Sequence, residues 1–160
     1  MLIEQRIERM GLVLPDLMTP PPGVHLPFRF VQVVGTRVLF SGHGPLNDDG
    51  SVAQPLGKVG RELSVEQGHV AARRTALAIL SSLRRELGDL DRIRAWHRVF
   101  GMVNSGPGFI EQPRVINGFS QLILELFGEE RGQHTRSAVG MFELPFNIPV
   151  EIEGEVEIHA

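Results

Sequence analysis

Two stretches of the chain have the clearest hydrophobic periodicity. Residues 150–158 alternate, with valine and isoleucine on one side and four glutamates on the other, which predicts a half-buried β-strand. Between Ser64 and Gly88 the apolar residues recur every three or four positions, which predicts a long amphipathic helix. Ser64 and Gln67 have the spacing of a capping box, and Gly88 is the expected C-terminal stop.

The remaining pattern completes an α+β order. Phe28–Val34 and Arg37–Phe40 are β-branched and aromatic runs around a Gly35-Thr36 turn, which predicts a hairpin. The other predicted elements are an amphipathic helix over residues 1–10, a strand over 92–103, a helix over 112–127 closed by Gly128, and a strand over 136–144. The order is therefore β-β-α-β-α-β-β after the first helix, and we expect a mixed sheet with two helices packed on one face.

Length and proline content suggest one domain with an N-terminal extension. A chain of 160 residues suits a single core. Pro15–Gly23 contains four prolines, three of them consecutive, so this stretch is extended rather than helical. We predict an N-terminal helix and Pro-rich arm over residues 1–27 and a single α+β domain over residues 28–160.

The sheet should carry apolar side chains on both faces. Val33, Leu39, Val99 and Val139 cannot all face the two helices. An apolar second face usually marks a protein contact, and a closed ring of identical subunits is the simplest way to bury it. The number of subunits does not follow from this argument.

Composition and motifs exclude several classes of function. The net charge is -3 with dispersed basic residues, which argues against a nucleic-acid partner. There is no cysteine, no P-loop or dinucleotide loop, no GxSxG turn and no metal-ligand spacing among the six histidines. We therefore expect no cofactor and no metal. No signal peptide or membrane span is visible, so we expect a cytoplasmic protein with no membrane partner.

One arginine stands out as a candidate for chemistry. Arg136 opens an otherwise apolar strand, and its planar fork suits a carboxylate ligand. The alternative is an ordinary ion pair with Glu151 or Glu143. Two further candidates are weaker when taken singly. Glu151 is one of the four glutamates on the polar side of the last strand. Ser41-Gly42 is the end of a strand, where glycine permits close approach of the backbone.

The arrangement of these pieces resembles the Rid (reactive intermediate deaminase) family, also called YjgF-like or L-PSP-like. The resemblance spans residues 28–158. The matching segments are Gly35–Pro45, Leu87–Ile93, Phe109–Phe127, and the run of Arg136–Val139, Leu144-Pro145 and Val150–Glu153, the last being the most specific because both order and spacing agree.

The resemblance implies a chorismate-mutase-like homotrimer with pockets between subunits. It implies that Arg136 binds the carboxylate of a small enamine or imine derived from an amino acid, and that Glu151 positions or activates water. Hydrolysis then releases a 2-keto acid and ammonia. Ser41 and Gly42 would form the pocket wall. The strands that carry Arg136 and Glu151 are expected to be adjacent in the sheet.

The sequence departs from the family pattern at several pocket positions. The family tyrosine is replaced by Phe28, the cysteine after the arginine by Ala138, and the glutamine after Ser-Gly by His43. The helical asparagine aligns with Asn117 or, one turn later, with Ser120. The first hypothesis is thus an imine/enamine deaminase. The alternatives are a non-catalytic trimer that binds a small carboxylate metabolite, and a ribonuclease of the L-PSP type.

Overall fold

The fold follows the predicted order of strands and helices. The computed structural model describes residues 2–160. The helices are α1 (Leu2–Arg9), α2 (Val65–Leu87) and α3 (Gln112–Gly132), and single 3₁₀ turns cover Leu90–Arg92 and Pro145–Asn147. The strands are β1 (Val31–Val34), β2 (Arg37–His43), β3 (Ile93–Asn104), β4 (Thr135–Met141) and β5 (Val150–Ile158).

The five strands form one mixed sheet in the order β1-β2-β5-β3-β4, in which only β3 and β4 are parallel. The prediction that the strands of Arg136 and Glu151 are adjacent is wrong, because β3 lies between β4 and β5. The α3 crossover places β4 outside β3, at the edge of the sheet. The alternating β5 then returns to the centre, where its Val156 is in register with both Val38 and Trp96.

Helix α2 forms as its sequence predicts. The Ser64 hydroxyl accepts from the Gln67 amide, and the Gln67 side chain accepts from the Ser64 amide. Gly88 ends the helix with φ 81°, a conformation that favours glycine. The apolar stripe is buried against the sheet; its members are Ala72, Ala76, Leu80, Leu83 and Leu87.

Several predicted boundaries move. Strand β1 begins at Val31 instead of Phe28, because its pairing with β2 stops at Phe40, where the register of β2 shifts. Strand β2 continues past Phe40 to His43, which pairs with Ile152 of β5.

Gly128 does leave helical geometry, with φ 75°, but one more turn follows as far as Gly132. That turn is held because Arg131 donates hydrogen bonds to the carbonyl of Ile93. Strand β4 ends at Met141 instead of residue 144, because Leu144 turns inward and is buried.

Helices α2 and α3 cover one face of the sheet, as predicted. Trp96 lies at the centre of this core, with edge contacts to Phe40, Phe119 and Phe127 at ring-centroid distances of 5.8, 5.7 and 5.6 Å. Val99 is fully buried on the same side, whereas Leu39 lies on the opposite face and is 40% exposed. This split confirms that apolar residues occupy both faces. We call the uncovered side the open face.

The N-terminal residues pack on the core. Ile3 and Ile7 of α1 are buried, and Arg6 donates to the carbonyl of Leu126 in α3. The arm then crosses the molecule, where the Asp16 amide donates to the Asp48 carbonyl at 2.9 Å. The division at residue 28 stays a prediction. In residues 2–160 no helix has both the length and the apolar character that a bilayer crossing requires.

Candidate functional site

The predicted site residues fall into two groups on opposite sides of the sheet. Glu151 is in register with Met102 on the open face, whereas Arg136 is in register with the buried Val99 on the helix face. Within one chain these two side chains do not converge. We refer to the cavity lined by Phe28, Gly42 and Glu151 as the glutamate pocket. The group of Arg136, Ala138, Asn117 and Ser120 on β4 and α3 is called the arginine edge.

The glutamate pocket is a largely apolar cavity of about 260 Å³ between the arm, the end of β2 and the start of β5. Gly42 is required there, because a Cβ at this position would lie 2.9 Å from Cδ of Glu151. Phe28 stands at the wall with 52% of its surface exposed. Ser41 is not among the lining residues of this cavity; its hydroxyl donates to the Arg29 carbonyl at 2.7 Å.

Glu151 has the electrostatic properties of an acid–base group. Its partial burial raises the pKa of the carboxyl above the ordinary value, and the nearby Glu153 raises it further. The other two glutamates of the strand differ, because Glu155 pairs with Arg37 at 2.7 Å and Glu157 pairs with Arg94 at 2.9 Å. A carboxyl with a raised pKa in an apolar cleft is a candidate proton carrier.

His43 forms the floor of the glutamate pocket. Its ring is 5% exposed, and burial lowers its pKa to about 4. Nδ1 lies 2.6 Å from the Ser41 carbonyl and therefore carries the proton, so Nε2 accepts from the Ser82 hydroxyl at 2.9 Å. The sequence showed His43 only as a replacement for glutamine. Its contact with Ser82 on α2 has no signal in the local pattern.

In the part of the chain that the structure describes, Arg136 at the arginine edge has no anionic partner. Nη1 donates to the Ser120 hydroxyl at 3.0 Å and Nη2 to the Pro113 carbonyl at 3.2 Å. Among residues 2–160 no carboxylate lies within 4.0 Å of it, so the alternative of a pair with Glu151 or Glu143 is wrong. Partial burial lowers the pKa of the guanidinium, which nevertheless remains a cation.

A second histidine supports the arginine edge. His134 Nδ1 faces the Gly132 carbonyl at 2.8 Å, so its Nε2 accepts from the Ser120 hydroxyl at 2.9 Å. Burial lowers the pKa of His134, and the positive charge of Arg136 lowers it further. Ser120 therefore accepts from the arginine and donates to a neutral imidazole. Sequence reasoning did not single out His134, although it lies only two positions before Arg136.

The two candidates on α3 differ in their contacts. Ser120 contacts Arg136 directly, whereas Asn117 lies one turn earlier and is half-buried. Ala138 is in register with Gly101 on the helix side and is half-buried against the core.

One acidic group lies away from both regions. Carboxylate oxygens of Glu4, Asp89 and Asp91 lie within 4.8 Å of one another. Glu4 accepts from the Leu90 amide at 3.0 Å and Asp91 from the Ile3 amide at 3.4 Å. These contacts hold α1 against the 3₁₀ turn Leu90–Arg92 that precedes β3, so we give the group a structural role.

Comparison with known proteins gives consistent matches along the chain. Residues 4–151 match the family described as "YjgF/chorismate mutase-like, putative endoribonuclease". The chain is 39% identical over 159 residues to Protein TCP17 of Trypanosoma cruzi, covering 98% of this chain and 94% of that protein. The crystal structure of protein Atu1372 from Agrobacterium tumefaciens is 38% identical with a TM-score of 0.88, over 99% of this chain and 93% of that one.

A more distant structure shares the fold. The crystal structure of Escherichia coli TdcF with bound serine is 17% identical, with a TM-score of 0.57, over 91% of this chain and 98% of that chain. At this identity the likeness concerns the fold alone. The five-stranded mixed sheet covered by two helices is thus the one that these proteins share.

Proposed function

Because the chain belongs to the YjgF/chorismate-mutase-like family, we propose that it is a hydrolytic deaminase of small enamine and imine intermediates of amino-acid metabolism. The observation that carries the proposal is the half-buried guanidinium of Arg136, which has no carboxylate partner among residues 2–160. A hydrogen bond between an arginine and a carboxylate contributes about 1.5–3 kcal/mol to the free energy of binding. This contribution favours the binding of an anionic ligand at Arg136.

We propose further that each complete site is built from two subunits of a homotrimer. Arg136 and Glu151 lie on opposite faces of one sheet, so a single chain supplies each of them to a different side. β4 is an edge strand and the open face carries exposed apolar residues, and both features favour contact with another copy. In a closed ring the arginine edge of one subunit meets the glutamate pocket of the next.

The proposed reaction needs only these residues and water. An enamine such as 2-aminoacrylate tautomerises to the imine, whose carbon is attacked by water. The C=N bond is replaced by C=O, the nitrogen leaves as ammonia, and a 2-keto acid remains. Arg136 holds the carboxylate and orients the imine carbon, while Glu151 takes a proton from water and returns it to the departing nitrogen.

The runner-up is a trimer that binds a small carboxylate metabolite without turnover. It is favoured by the apolar replacements Phe28 and Ala138, which remove a phenol and a thiol from the family pattern. The serine bound to TdcF is compatible with either reading, because a bound amino acid is also a carboxylate. The ribonuclease reading has less support, since the chain carries net charge -3 and dispersed basic residues.

A turnover assay separates these functions. 2-Aminoacrylate is generated in the cuvette from serine by a dehydratase, and keto-acid formation is compared with and without the protein. We expect a rate clearly above buffer. A rate equal to that in buffer, together with pyruvate binding measured by calorimetry, would contradict the deaminase and support the non-catalytic binding function. RNA binding that weakens steeply with salt would instead favour the ribonuclease.

A further inference from the structure

The glutamate pocket is larger and more apolar than a three-carbon substrate needs. Its volume is about 260 Å³, whereas a dry apolar cavity of about 150 Å³ already accommodates benzene. The methylene of 2-aminoacrylate would leave most of this space empty. The space beside Glu151 therefore fits an aromatic ring or a branched aliphatic chain.

The walls of the glutamate pocket are mainly apolar and aromatic side chains, which suit an apolar group. Large apolar side chains from two parts of the chain line the cavity: Leu26, Phe28 and Phe30 from the arm and the start of the hairpin, and Phe146 and Ile148 from the turn before β5. Phe28 and Phe30 meet edge to face, with ring centroids 5.7 Å apart. Of the described residues that line the cavity, two are ionisable: Glu151, and His43, which is neutral. A charged or strongly polar side chain would find no partner there.

Two of the aromatic walls are left uncovered. Phe28 and Phe146 have 52% and 55% of their surfaces exposed. Phe146 also has φ 58°, the left-handed region that is costly for a bulky residue. Strain of this kind concentrates at ligand-binding positions, and Phe146 is one of the residues that line the cavity.

We propose that this pocket makes the protein selective for imines and enamines with a large apolar side chain, of the phenylalanine or leucine type, over 2-aminoacrylate. The inference rests on the proposed function and names the substrate class of that same site. In this arrangement the carboxylate lies on Arg136, the reacting carbon lies beside Glu151, and the side chain fills the space under the arm. The arm is then the element that sets specificity.

Calorimetric titration of the full-length protein tests this directly. We expect phenylpyruvate and 4-methyl-2-oxopentanoate to bind roughly 10–150-fold more tightly than pyruvate, as burial of one such side chain implies. Leu26→Asp places a carboxylate in the cavity and should collapse that ratio. Val24→Asp, on the same arm but outside the lining residues, should keep it. Circular dichroism checks that both variants fold.

Turnover of imines released by an amino-acid oxidase separates the two proposals. Imines from phenylalanine and leucine should be hydrolysed with a higher kcat/KM than the imine from alanine. Equal affinities for all three keto acids would overturn the selectivity and leave the deaminase standing. Strong preference in binding with no hydrolysis of any imine would overturn the deaminase and keep the selectivity of the pocket.

Discussion

The glutamate pocket and the arginine edge use the same hydrogen-bonding device for different purposes. In each, a histidine donates from Nδ1 to the carbonyl two residues earlier and accepts at Nε2 from a serine on a helix. The pairs are His43 with Ser82 and His134 with Ser120. Both imidazoles have lowered pKa values because they are buried. His43 lines the apolar cavity that contains Glu151, whereas His134 shares Ser120 with the cationic Arg136.

The difference between the two regions supports the proposal that each chain supplies half of a site. A neutral histidine next to Arg136 adds no charge, so the guanidinium keeps its attraction for an anion. A neutral histidine beneath the glutamate pocket likewise supplies no cation to neutralise Glu151, so burial can raise the pKa of that carboxyl. Each region thus has one charged group, and among residues 2–160 neither group forms an ion pair. A ligand with a carboxylate and a reacting carbon would use both.

Glu151→Gln should give the largest effect. Loss of a positioned general base lowers kcat by roughly 10²–10⁴-fold, while keto-acid binding is retained. In the parent protein, activity should fall as the pH drops through the raised pKa of Glu151, because the base must be ionised. Glu153→Gln is the matched control. It should keep turnover and move the acid limb to lower pH, since Glu153 helps to raise that pKa. Unchanged rates in Glu151→Gln would remove it from the mechanism.

His43 should make the free energy of unfolding depend on pH. Its folded pKa of about 4 is below the ordinary value of 6.5, so the unfolded chain binds the extra proton between these values. The contribution of the neutral His43 ring to the free energy of unfolding is fully present above pH 6.5. It is lost as the pH falls towards 4, which lowers the free energy of unfolding by about 3 kcal/mol. Denaturant titrations at several pH values measure this slope. His43→Gln should lack that component; an identical pH profile would show that the ring is not buried as described.

Arg136→Ala should weaken keto-acid binding by roughly 10–150-fold, the equivalent of one charge-assisted carboxylate contact. Arg73→Ala is the control, because Arg73 forms only a surface pair with Glu125 at 3.3 Å. Light scattering should report the same oligomer for both variants. Affinity equal to wild type in Arg136→Ala would rule out the anchor.

Mixing the two impaired variants shows whether the halves come from different chains. When Arg136→Ala and Glu151→Gln subunits are unfolded and reassembled together, about a quarter of the interfaces in a randomly formed ring should pair two intact halves. At a substrate concentration well below KM, the activity of the mixture should therefore exceed the mean activity of the two separate variants. Activity no higher than that mean, although mixed oligomers form, would show that both residues act within one subunit.

Local sequence was sufficient for most of the fold. The capping box at Ser64, the stop at Gly88 and the alternation of residues 150–158 depend on neighbours in the chain, and each is found as predicted. The continuation past Gly128 was missed, because it depends on a contact from Arg131 to β3, 38 residues away.

In the candidate site, too, some features follow from the local sequence and others from the tertiary structure. The sequence by itself determined that Arg136 opens an apolar strand, that Glu151 lies on the polar side of β5, and that Gly42 allows close approach. Only the tertiary structure decided that β3 separates their strands, that the two charges face opposite sides of the sheet, and that His43 and His134 support them. Hydrogen-bond periodicity is local, whereas strand order and burial depend on which distant segments pack together.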